Sequence, residues 1–71
     1  MTPSLRTMPT IDATFDPRAR RWLVRLPGGY VLHLLDERAV AEEVRHHAPG
    51  SAVRYLRDAS EGELRELWGG R

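Results

Sequence analysis

The sequence predicts an α+β domain: a three-stranded antiparallel β-meander followed by two or three short helices packed on one face. Three observations carry this reading. Two apolar runs rich in β-branched and aromatic residues, 21–26 and 30–35, flank Pro27-Gly28-Gly29. A third stretch, residues 10–16, alternates with period two ahead of an Asp-Pro turn. From Asp36 onward, segments with helix caps replace the alternation.

The loop fixes the register of the hairpin. A two-residue Gly28-Gly29 loop would set Val24 against His33 and Arg25 against Leu32, mixing polar and apolar side chains on both faces. A three-residue loop, Pro27-Gly28-Gly29, pairs Leu26 with Tyr30, Val24 with Leu32 and Trp22 with Leu34. Pro27 suits the first corner of a type I turn, and Gly29 the left-handed conformation that closes it. A four-residue loop over residues 17–20 then sets Phe15 opposite Trp22, Ala13 opposite Val24 and Ile11 opposite Leu26. One face becomes wholly apolar: Ile11, Ala13, Phe15, Trp22, Val24, Leu26, Tyr30, Leu32 and Leu34. The second carries Asp12, Thr14, Asp16, Arg21, Leu23, Arg25, Val31, His33 and Leu35.

Asp36 is a good N-cap, with Glu37 in the first turn against the helix dipole. Residues 37–48 form a helix whose stripe is Val40, Val44 and either His47 or Ala48, and Pro49-Gly50 ends it. Residues 51–58 fit two periods. As a helix, Ser51 caps it and Ala52, Val53 and Leu56 share a face; as a strand, Val53 and Tyr55 alternate with Arg54 and Leu56. The cap, and the unstrandlike Leu56-Arg57-Asp58-Ala59, favour the helix. Ser60 and Glu63 make a capping box for a last helix striped by Leu64, Leu67 and Trp68 and ended by Gly69-Gly70. Leu64 and Trp68 are expected to cover the sheet beside the first helix.

The 71 residues make one small domain, 10–71, behind an arm, 1–9, that has two prolines and no periodicity. A core of this size supplies only about 3–5 kcal/mol, so association would add stability. Cysteine is absent, which leaves no disulfide and no thiolate zinc site. No apolar run resembles a signal peptide or reaches membrane-spanning length, so a cytoplasmic location is expected. Lysine, asparagine and glutamine are also absent, and all 11 basic residues are arginine. That skew points to the genome of a GC-rich bacterium or its phage, and it weakens arginine content as a sign of nucleic-acid affinity. Residues 1–35 hold five arginines against two aspartates, and residues 36–71 six arginines against eight acids. The sheet half is basic and the helical half mildly acidic.

Arg18, Arg20, Arg21 and Arg25 lie in a segment without acids, an electropositive ribbon suited to phosphates or an acidic protein. In the proposed register, however, Arg25 faces Asp12 and Arg21 faces Asp16, as cross-strand pairs. The second face also holds Leu23, Val31, Leu35 and His33, more apolar surface than a solvated face needs. Arg21, Leu23, Arg25 and His33 are therefore the expected partner-binding residues. His46 and His47 project about 100° apart on a helix, and no acid sits at a ligand spacing, so no metal site is expected. No Ser, His and acid fall in a catalytic arrangement, and neither Gly-Gly pair is a phosphate loop, so neither catalysis nor a cofactor is expected.

Residues 40–57, VAEEVRHHAPGSAVRYLR, resemble a helix-turn-helix, with a turn that is longer than usual and contains proline. The resemblance implies a first helix packed through Val40, Ala41 and Val44. Ser51 would then cap a recognition helix, with Arg54 and Arg57 reaching DNA. Sheet-then-helices also describes small antitoxin domains of the HicB kind and leader-peptide-binding domains of the PqqD kind, an architectural similarity without a shared motif. The expected function is a small non-catalytic protein-binding regulator, inhibitor or assembly factor acting through the exposed sheet face. Its partner would be another protein or a second copy of the chain, with no membrane or small-molecule substrate. The alternative is a DNA-binding transcriptional regulator using Arg54 and Arg57. A third reading is peptide capture by strand addition along the outer edge of residues 30–35.

Overall fold

The computed structural model describes residues 9–69; the expected arm at 1–9 therefore falls, except for Pro9, outside the described residues. Three strands, β1 (Thr10–Asp16), β2 (Arg21–Arg25) and β3 (Val31–Leu34), form the antiparallel meander. Helix α1 (Glu37–His47) follows, then a fourth strand, β4 (Ala52–Leu56), and helix α2 (Glu61–Leu67). The sheet order is β3-β2-β1-β4, with β4 parallel to β1, so the fold is α+β with a mixed four-stranded sheet.

The register follows from the loops. Ala13 pairs with Val24 and Phe15 with Trp22, while Val24 pairs with Leu32 and Trp22 with Leu34. The first hairpin closes through Arg20 N–H to the Asp16 carbonyl, 2.7 Å. The second closes through Leu26 N–H to the Tyr30 carbonyl, 2.7 Å, and Gly29 N–H to the Leu26 carbonyl, 3.2 Å. Gly28 and Gly29 both have positive φ, 97° and 93°. A positive φ directly after Pro27 is the type II corner, not the type I turn the sequence suggests.

Residues 51–58 are the first departure. They hold a strand instead of a helix, because β1 offers a free edge and the five β4 residues fill it, from Thr10 with Ala52 to Thr14 with Leu56. Val53 packs on the core, and the Tyr55 ring meets Trp22 edge-on at 5.4 Å. Long-range pairing overrides a local cap in a run too short for periodicity to decide. The helix-turn-helix expected over 40–57 is accordingly a helix followed by a strand, and the recognition helix does not form.

The helices are the second departure. There are two among the described residues, and they lie on opposite faces. Helix α1, capped by the Asp36 side chain accepting from Ala39 N–H at 2.8 Å, buries Val40 and Val44 against Ile11, Ala13, Trp22, Val24 and Leu26. Its narrow stripe of small side chains fills the apolar face. Helix α2, opened by the Ser60–Glu63 capping box, comes back over the second face. There Trp68 donates its indole N–H to Asp16 Oδ2 at 2.7 Å and packs at a 47° tilt against His33, ring centres 4.2 Å apart. Placing both helices on one face failed because the extra strand lies between them in the chain. Among the described residues no helix is long and apolar enough to cross a membrane.

Candidate docking edge

The second face is closed where the sequence reading has it open. Leu23 is 0% exposed, and Thr14 and Asp16 beside it are also buried. Of the four nominated partner-binding residues, Leu23 is therefore core. Arg21 is half-buried and turns back on its own loop, Nη1 donating to the carbonyls of Ala19 and Arg20. Arg25 and His33 are exposed.

The expected cross-strand ion pairs are replaced by other contacts. Asp12 is gripped by two donors of Arg54, at 3.0 and 3.1 Å, with no pair to Arg25. That contact raises the Arg54 guanidinium's affinity for its proton, through the hydrogen bond and then the charge of Asp12. Asp16 pairs in register with Arg21 but gives its carboxylate to Trp68 and to the amides of Arg18 and Ala19. Arg57 lies over Phe15 and Trp22, 5.2 and 5.0 Å from the ring centres, and reaches Glu37 at 3.3 Å. Both arginines assigned to DNA are thus engaged within the chain, on different sides of the sheet.

The Asp16–Trp68 bond fixes the end of α2 against the end of β1, and it makes a pH prediction. The Trp68 indole N–H, then the Arg18 and Ala19 amides and the Arg18 charge, hold the Asp16 carboxyl below its ordinary value of 3.8; burial opposes this more weakly. A lowered folded-state pKa contributes stability above the ordinary value, and the contribution is lost as pH falls through the folded one. Urea midpoints should therefore fall as the solution is acidified below about pH 4. Asp16→Asn should reduce stability at neutral pH by about 1–3 kcal/mol and flatten that acid limb.

Among the described residues two sheet edges are free of a neighbouring strand, and they differ. The β4 edge carries Arg54 and leads into Arg57, the charged dressing that discourages pairing. The β3 edge has none: no Asp, Glu, Lys or Arg occurs from Leu26 through Leu35. The Leu26–Tyr30 hydrogen bond sets the alternation along it. Leu32 and Leu34 turn their backbone groups toward β2, and Val31 and His33 turn theirs outward. Tyr30, at 69% exposed, and Leu35, at 67%, stand at the two ends of the strand. Trp68, at 41%, adjoins it through His33. Among the described residues, three of the four exposed large hydrophobic side chains therefore border one short strand.

From this cluster the sequence names His33 as a partner-binding residue and, as its third reading, the outer edge of residues 30–35 for strand addition. It placed Tyr30 on the apolar face, yet the ring leaves the core and lies over the hairpin turn, where a Cβ at Gly28 would sit 3.4 Å from it. Trp68 was expected beside the first helix. The uncharged run from Leu26 to Leu35 was the signal that marks the edge.

An open groove of about 360 Å³ separates α2 from the second face near Thr14, Arg25 and Leu56. Of its carboxylates, Asp12 is held by Arg54, and Glu63 accepts from Ser60 N–H. His47 pairs with Glu43 at 3.1 Å, and among the described residues no three His, Asp or Glu come together as a metal site. No protein-family model, no curated protein and no solved structure matches the chain.

Proposed function

We propose that the protein is a small non-catalytic binding module, a regulator, inhibitor or assembly factor, that docks on a partner polypeptide through the outer edge of β3. One observation carries this reading: among the described residues β3 is an edge strand with no outer neighbour and no Asp, Glu, Lys or Arg, bordered by exposed Tyr30, Leu35 and Trp68. Proteins ordinarily blunt such edges with charge, proline or cover. An extended partner strand would satisfy the outward groups of Val31 and His33, which supplies affinity. Alternate side chains meeting Trp68 and Leu35 would supply selectivity. The sheet face named from the sequence contributes His33 to this surface, while Leu23 supports it from within.

The test is selection of random linear peptides displayed against the protein. Enriched clones should alternate apolar residues, and synthetic versions should bind at least tenfold more weakly to Val31→Pro, which removes one outward N–H. Peptides with no alternation, or with equal affinity for the variant, would place binding elsewhere.

A further inference from the structure

We infer that the strand occupying the β3 edge is β3 of a second copy of this chain, antiparallel about a two-fold axis at His33. The inference rests on the docking edge proposed above and names its partner. Two four-stranded sheets then join as one sheet of eight strands. Hydrogen bonds require outward residues to face outward residues, which restricts the register. With His33 on the axis, His33 meets its own copy, Val31 meets Leu35, and Leu32 meets Leu34 on the opposite face. Shifting the axis to Leu32 would set Val31 against His33 and leave Leu35, 67% exposed, uncovered. The first register matches apolar with apolar on either side of the His33 pair, the same criterion that sets the hairpin registers within the chain.

Charge and closure favour a copy over an unrelated strand. The edge has no Asp, Glu, Lys or Arg with which to select a charged partner, and a copy brings an edge equally apolar and equally long. Both copies bring Trp68, packed against His33, to the axis. The two-fold pairs β3 only with β3, so this contact closes as an isologous dimer instead of growing into a fibre.

Sedimentation velocity on the full chain tests this. The wild type should sediment as a concentration-dependent dimer. Val31→Pro should weaken it at least tenfold, because each copy loses an interchain donor. His33→Asp and His33→Arg should each weaken it about fivefold alone, like charges meeting at the axis, and an equimolar mixture of the two should restore the dimer. Circular dichroism of each variant checks that it is folded. A wild type that stays monomeric at its highest attainable concentration overturns the dimer. So does a dimer unmoved by Val31→Pro, or one whose charge variants fail to recover on mixing. A monomer that still binds the selected peptides overturns the dimer alone; one that binds none overturns the docking edge as well.

Discussion

Leu23→Asp is expected to unfold the domain. Leu23 is 0% exposed, paired with His33 on β2–β3 and with Thr14 on β1–β2, on the face that α2 covers. A carboxylate there would be buried without a partner, at a cost of several kcal/mol. A domain of this size has only about 3–5 kcal/mol to lose. Far-UV circular dichroism should show a disordered chain at neutral pH. Leu23→Ala provides the graded version: a loss of about 2–4 kcal/mol in urea unfolding, from transfer and cavity together. A Leu23→Asp protein that melts like the wild type would mean that this face is open after all.

Proline should distinguish the two sides of β3 within one strand. Leu32 directs its N–H to β2, in the pair with Val24. Leu32→Pro therefore removes a ladder bond, leaves a carbonyl unpaired beside fully buried Val24, and should cost about 1–3 kcal/mol before any strain is added. Val31 directs its N–H away from the sheet, so Val31→Pro should melt within about 0.5 kcal/mol of the wild type while losing its partners. Equal destabilisation by both would show that the outer side of β3 is already bonded.

How far the sequence could be read depends on what each element rests upon. The β1–β2–β3 register was legible because loop length and a single apolar face over-determine it: Pro27-Gly28-Gly29 and the four residues 17–20 allow only one fit. The caps at Asp36 and Ser60 were legible because the side chain and its acceptor geometry are local. The strand β4 was not. Val53 and Tyr55 alternate, but Ser51 is an equally good local cap, and only the vacant edge of β1 decides between them. Once β4 is a strand, α2 falls on the face opposite α1. That exchange buries Leu23, turns Trp68 toward Asp16 and His33, and leaves Arg54 holding Asp12. The docking edge was half legible: the sequence marks an uncharged strand with a free outer side, while the positions of Tyr30 and Trp68 depend on the turn geometry and on α2.

Amide hydrogen exchange along β3 tests the docking edge most directly. In dilute solution the amides of Val31 and His33 should exchange quickly, while those of Leu32 and Leu34, two residues of the same strand, should be protected. Raising the protein concentration should slow Val31 and His33 alone. Four protected amides in dilute solution, or four unprotected ones at every concentration, would contradict an open and ordered edge at β3.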